Sequence, residues 1–294
     1  MTAIEWTGRT WNPVTGCDRV SPGCDHCYAL DLARRLKAMG QPKYQHDGDP
    51  RTSGPGFAVT PHPDTLTAPF AWPAGQLVFV NSMSDLFHPR VPTLFIAQVL
   101  AVVTLAGQHR FQMLTKRPRR ARALLTSGEF RLEVLAEACA LTTLDGSPGR
   151  YPDAWPPPNL WLGTSIELDA YAWRAEVLRA TPAAVRFLSL EPLLGSLPSL
   201  QLAGIDWVIA GGESGPRARP LDLGWVRELR DRARAAGAAV FVKQLGSRWA
   251  RAHGGHPKGG DPTRWPADLR VRQLPGRWSG WPEGPARRSS RTLP

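Results

Sequence analysis

Short apolar runs that end in polar residues recur along this chain, and amphipathic stretches separate them. Leu77–Val80 ends in Asn81 and Ser82, Phe111–Leu114 in Thr115 and Lys116, and Leu160–Gly163 in Thr164 and Ser165. Val185–Leu190 ends in Glu191, Ile205–Ala210 in Gly211, Gly212 and Glu213, and Ala239–Val242 in Lys243 and Gln244. Apolar runs without alternation are buried on both faces, as in a parallel sheet. Helical spacing predicts helices over 93–106, 119–125, 169–180 and 222–236. A shorter first strand is expected within Arg9–Val14. Seven candidate strands with helices between them predict an α/β fold. The expected form is a full or partial (β/α) TIM-type barrel of about six to eight parallel strands.

That barrel would occupy residues 1–246. Two segments interrupt its repeat. Residues 41–56 are rich in Gly, Pro and Asp and read as an irregular loop or lid. Residues 126–158 insert a helix over Phe130–Leu141, on which Cys139 is expected to be a buried structural cysteine. Residues 247–294 read as a basic extension rich in Gly, Pro and Trp, with its last dozen residues disordered.

In such a barrel the ligand face lies at the C-terminal ends of the strands. Asn81, Lys116, Ser165, Glu191, Glu213 and Lys243 all stand there. Each alone is an ordinary helix cap or solvated loop residue. Together they mark one rim of the barrel as the place for chemistry. Lys116, Glu191, Glu213 and Lys243 are expected to converge on one mouth.

Before that repeat comes Cys17-Asp-Arg-Val-Ser-Pro-Gly-Cys24-Asp-His-Cys27, which holds three of the chain's four cysteines in C-x6-C-x2-C spacing. A helix is predicted directly after it, over Tyr28–Met39. The sulfurs would therefore lie near a helix N-terminus, where the dipole favours thiolate. Three readings stay open. A [4Fe–4S] cluster on three cysteines would leave one iron free for a ligand. Zinc held by the three thiolates and a fourth ligand such as His26 is the second. Three reduced cysteines packed in a loop are the third.

Length and charge narrow the class. A chain of 294 residues buries a full core. No apolar stretch is long enough for a membrane span, and the start lacks a signal-like apolar region. A cytoplasmic protein is expected, in which clustered cysteines mean metal or redox chemistry. The net charge of +11 is uneven: from Ser247 onward ten Lys/Arg face three Asp/Glu. Four of the twelve tryptophans lie there too. With the Lys116-Arg117-Pro118-Arg119-Arg120 run, this suggests a nucleotide or nucleic-acid partner, with Trp249 or Trp265 stacking on a base. Two further functions stay open: a nucleic-acid-binding module with a structural Zn or Fe–S site, and a zinc-dependent barrel hydrolase.

Longer motifs now carry a resemblance. They are Glu5-Trp-Thr7, Trp11-Asn-Pro-Val-Thr-Gly-Cys17, Cys27-Tyr-Ala29 and Asn81-Ser-Met-Ser-Asp-Leu-Phe-His88. Leu114-Thr-Lys-Arg-Pro118, Trp161-Leu-Gly-Thr-Ser165, Phe187-Leu-Ser-Leu-Glu-Pro192 and Gly211-Gly-Glu-Ser-Gly215 belong with them. Over roughly residues 1–275 the chain resembles an uncharacterised bacterial and phage family named after phage gene products 37 and 68, described as radical-SAM-like. The resemblance implies a radical-SAM-type barrel, with Cys17, Cys24 and Cys27 as ligands of a [4Fe–4S] cluster. S-adenosylmethionine (SAM) would be the second cofactor, and an electron-donor protein a partner. Gly211, Gly212 and Glu213 resemble the segment that meets the SAM amino group in such enzymes, although here it follows a late strand. Ser165 and Asn81 are further candidates for cofactor binding. Lys116, Glu191 and Lys243 are the candidate catalytic residues. The departure is the first cysteine gap, six residues rather than the usual three.

Overall fold

The computed structural model describes residues 4–143 and 154–276. Among these residues, seven parallel strands form one sheet: β1 (Arg9–Trp11), β4 (Leu77–Val80), β5 (Arg110–Thr115), β6 (Leu160–Ser165), β7 (Val185–Leu190), β8 (Trp207–Gly211) and β9 (Ala239–Gln244). The short strands β2 (Val14–Thr15) and β3 (Thr60–Pro61) make a separate antiparallel ribbon. The sheet order is β1-β4-β5-β6-β7-β8-β9, so chain order is spatial order. β1 and β9 are not paired with each other, and the sheet curls into a half-barrel. The helices are α1 (Tyr28–Ala38), α2 (Thr93–Leu105), α3 (Pro118–Leu125), α4 (Gly128–Thr143), α5 (Trp173–Arg179), α6 (Leu223–Ala235) and α7 (Ser247–His253). The strands and helices expected from the pattern are present within a few residues of their expected ends.

The two sheet faces have different cores, because alternate residues point in and out. Outward residues such as Trp11, Val80, Met113, Leu162, Leu188 and Val240 pack with the helices. α2 is apolar nearly all round and is wedged between the sheet and α4. Inward residues are mostly aromatic: Phe79, Trp161, Phe187, Trp207 and Phe241. Trp6, from before β1, plugs this concave face, 4.6 Å from the Phe79 ring and 6.0 Å from those of Phe187 and Trp207. Gly163 belongs to the same face, and a Cβ there would lie 2.4 Å from the Phe187 ring. The inner face is therefore filled from the base upward, and a ligand has room only at the rim.

The basic extension does not begin where the barrel ends. Residues 271–273 run beside β9: Val242 N donates to Val271 O at 2.8 Å and Gln273 N to Val240 O at 2.8 Å. Trp207 Nε1 donates to Gln273 O at 2.8 Å, and Leu274 joins the inner cluster. This segment covers an edge that would otherwise be exposed. Trp265 is 1% exposed and donates to Gly259 O, so it offers no face to a base. Trp249 stacks on His253 with ring centroids 4.4 Å apart. The predicted disordered end, with Arg287, Arg288 and Arg291, lies outside the described residues.

Cys139 corrects an expectation: it is exposed. The turn of α4 that carries it points Phe130, Val134 and Ala138 inward, one position off its register. Loop 41–56 is tied down rather than loose. Asp47 Oδ1 takes Lys37 Nζ at 2.6 Å and Gly56 N at 2.7 Å. Thr52 bonds to both Arg19 N and the Asp18 carboxylate.

Candidate functional site

The three cysteines follow β1 and hang over the C-terminal rim of the sheet. Gly16 starts the turn at φ +82, and a Cβ there would collide with Ala58 O at 2.0 Å. Pro22–Cys24 form a single 3-10 turn, closed by Cys24 N to Ser21 O at 2.8 Å. Cys27 is the N-cap residue of α1, and its carbonyl accepts from Leu30 N at 3.1 Å. Burial pushes the Cys17 thiol up to about 12, with Asp85 adding and Arg117 opposing. Burial also raises the Cys27 thiol.

Three arginine–carboxylate pairs fasten this loop to the far strands. Arg117, just after β5, donates Nη1 to Cys17 Sγ at 3.4 Å and to Asp85 Oδ2 at 3.0 Å, and Nη2 to Asp18 O at 3.0 Å. Arg174 and Glu167 form an ion pair 3.2 Å long whose side chains are 2% and 0% exposed. Glu167 Oε1 accepts from Gly23 N at 3.4 Å, and Arg174 also donates to Ser165 O. Arg219 grips Glu213 in fork geometry, Nε to Oε2 at 2.9 Å and Nη2 to Oε1 at 2.6 Å. It also donates to Pro22 O at 2.9 Å. His26 Nδ1 lies 3.2 Å from Glu213 Oε2. Burial opposes the charge on Glu213, but the Arg219 and His26 hydrogen bonds outweigh it and hold the carboxyl below its ordinary range.

Asp18, directly after Cys17, is a second hub. Its carboxylate takes Thr52 Oγ1 at 2.8 Å, His88 Nε2 at 2.9 Å and Arg90 Nη2 at 2.7 Å. Arg120 donates to His88 O and Val91 O, while Arg119 lies over the Trp173 ring. Two members of the basic run are thus occupied with structure or with a surface ring.

The rim itself continues the inner face of the sheet. Ser165 and Ser189 are register partners on β6 and β7, and they share the face of Trp161 and Phe187. Lys116 follows Thr115, the partner of Thr164, and so stands next to Ser165. One step higher, Lys243 Nζ lies 3.2 Å from Glu191 Oε1. The pair is set by distance, because its angle leaves Oε1 without a hydrogen bond. Burial raises the Glu191 pKa against the pull of Lys243. Tyr28 is 49% exposed, yet its hydroxyl reaches inward to Ser82 O at 2.6 Å. Burial raises the phenol pKa, with Cys27 and Glu191 adding to it.

The sequence-predicted residues divide accordingly. Lys116, Ser165, Glu191 and Lys243 line one rim beside Cys27 and Tyr28. Glu213 reaches the cysteine loop through Arg219 and His26. Gly211 and Gly212 have a packing reason: a Cβ would meet Glu191 Oε1 at 2.8 Å and Leu245 O at 2.6 Å. Asn81 takes φ +62, is 3% exposed and accepts from Val14 N. Asp85 and Glu167 belong to the polar residues that sequence reasoning places at the strand ends, whereas Arg174, Arg219 and Tyr28 were missed as site residues. Of these three only Tyr28 had a signal, as a member of a quoted motif.

No three His, Cys, Asp or Glu side chains among the described residues stand close enough to hold a single metal ion as they are. A lone zinc with four tetrahedral bonds of about 2.3 Å would need sulfurs roughly 3.8 Å apart. In an iron–sulfur cluster each thiolate holds its own iron, so wider spacing suits it. His26 already faces Glu213, which leaves one ring nitrogen for a metal.

The fold and rim define an α/β half-barrel protein with a thiol-bearing mouth. Over residues 1–278 the chain matches the family described as a protein of unknown function, DUF5131, and it belongs to that family. No curated protein and no solved structure matches it.

Proposed function

We propose that this protein is a radical-SAM-like iron–sulfur enzyme, with a [4Fe–4S] cluster on Cys17, Cys24 and Cys27. The observation that carries the reading is one loop with three free thiols, Cys17, Cys24 and Cys27, directly after β1 and β2 at the mouth of a parallel half-barrel. The fourth cysteine, Cys139, stands exposed on α4. A cluster with three protein ligands keeps one iron open, and when bound there SAM would supply radical chemistry after one-electron reduction by a donor protein.

The chain's own residues do the rest. Arg117 and Arg219 donate to the backbone of the cysteine loop, and Arg174 holds Glu167, which accepts from Gly23 N. The Arg117 guanidinium at Cys17 Sγ favours the thiolate, which burial alone would suppress. Glu191 and Lys243 are positioned to hold or move a proton at the rim, since burial brings the carboxyl toward neutrality beside an ammonium. The aromatic inner face keeps water out from below.

Anaerobic reconstitution with iron and sulfide tests the proposal. About four irons per chain are expected, with a spectrum that changes when SAM is added. Stoichiometric zinc without iron would overturn it and favour a structural or hydrolytic zinc site.

A further inference from the structure

Among the described residues, the Lys116 ammonium at the mouth has no ion-pair partner. Arg117 is matched by Asp85, Arg174 by Glu167, Arg219 by Glu213 and Lys243 by Glu191. Lys116 uses its backbone N–H on Asp85, but its ammonium has no partner among the described residues. It is only half-buried, and its charge is felt at Cys27. Next to it on the same face come Ser165 and Ser189, 2% and 3% exposed. Ser189 Oγ donates to Glu191 Oε2 at 3.4 Å, so the ammonium and the Ser165 hydroxyl are the donors at the height where the aromatic filling stops, with Ser189 next to them. Across the rim, Tyr28 keeps its ring half open while its hydroxyl is fixed on Ser82 O.

We infer that the Lys116–Ser165–Ser189 shelf binds the phosphate of a nucleotide substrate, whose base lies against the open face of Tyr28. This rests on the reading of the mouth as the substrate site and names the substrate class for it. A partly desolvated, unpaired lysine is costly until an anion arrives. A phosphate accepts from the ammonium and the Ser165 hydroxyl, and from Ser189 once that hydroxyl turns from Glu191, and charge-assisted bonds are the strong ones. Stacking needs an aromatic face whose orientation is already fixed, and the Tyr28 hydroxyl bond provides it. Lys243, 3.2 Å from Glu191, offsets that carboxylate's charge beside the shelf.

The test compares AMP with adenosine on reconstituted protein without SAM, by titration calorimetry, with iron measured on the same samples. AMP should bind roughly tenfold or more tighter than adenosine at low salt, the worth of a charge-assisted bond. Lys116→Met should bring the two ligands to within about twofold, and Lys116→Arg should keep most of the preference. Ser165→Ala with Ser189→Ala should reduce the preference in part. Tyr28→Leu should weaken both ligands together and leave their ratio intact. Equal binding of AMP and adenosine to the wild type, or a ratio untouched by Lys116→Met, overturns the inference. The ratio is independent of iron content. A preserved ratio without iron would sink the cluster proposal and keep this one, and iron without a preference would do the reverse.

Discussion

The two ends of the sheet treat their polar side chains differently. At the N-terminal base, Asn159 Nδ2 donates to Val103 O at 2.8 Å and Ala106 O at 3.2 Å. Asp206 Oδ2 accepts from Arg186 N at 2.8 Å, and His109 Nε2 meets Pro69 O at 3.0 Å. These groups satisfy nearby backbone and finish the fold. A shallow cleft of about 420 Å³ there is lined largely by backbone, at Gly204, Gly237 and Gly276 among others. At the C-terminal mouth, charged side chains cross from one loop to another and hold the thiols. Polar residues at the base thus complete structure, while those at the mouth support a site.

The largest effect expected from that difference is on iron. Changing Cys17, Cys24 or Cys27 to Ala should abolish iron incorporation and the brown colour, measured by iron analysis and absorbance after anaerobic reconstitution. Iron retained at wild-type level in any of the three would remove that residue from the ligand set.

Next comes the buried Arg174–Glu167 pair. Replacing Arg174 by Met leaves a carboxylate uncompensated, which costs about 3–5 kcal/mol. Chemical denaturation should show that loss, and iron incorporation should fall with it because Glu167 also meets Gly23. A variant as stable as wild type would mean that the pair is not part of the mouth's framework.

The inner face gives a smaller effect. Gly163→Ala places a methyl against the Phe187 ring and should cost about 1–3 kcal/mol. Iron binding should survive, since no clamp is touched.

Glu191 sharpens the comparison through pH. Its folded pKa is raised, so the native protein binds more protons than the unfolded chain just above the ordinary glutamate value of about 4.3. The stability it contributes is full below that value and is lost as pH rises through the folded pKa. The slope is at most about 1.4 kcal/mol per pH unit. Glu191→Gln should flatten the denaturation midpoint across that window, and an unchanged slope would show that Glu191 titrates normally. At the other extreme, Cys139→Ser, on an exposed turn, should change stability by no more than about 0.5 kcal/mol and leave iron unaffected.

The strands were legible because apolar runs on a two-sided parallel sheet need no partner to be recognised. Their polar ends were legible too: Lys116 stands beside Ser165 and Lys243 beside Glu191, while Glu213, expected at the same mouth, is held by Arg219 and His26. What pattern could not give was pairing. Arg174 looks like an ordinary helix-face charge and Glu167 like one more polar strand end, and nothing local announces that both are buried and paired. Cys139 failed for a related reason: one residue of rotation separates it from buried Ala138. Trp265 looked like a stacking residue in a basic tail, but long-range packing draws it into the core.

Among the described residues the sheet has seven strands, and its edge strands β1 and β9 do not pair with each other. A closed barrel is hooped by its own backbone, whereas this one is hooped by side chains. At the lower end Trp6 and residues 271–274 draw the edges together through apolar contact, which salt leaves in place. At the upper end Arg219 carries tension from Glu213 beyond β8 to Pro22 beyond β1, and ions in solution loosen that kind of tie. Ionic strength therefore acts on this molecule like a drawstring, opening the collar that holds the thiols while the foot stays shut.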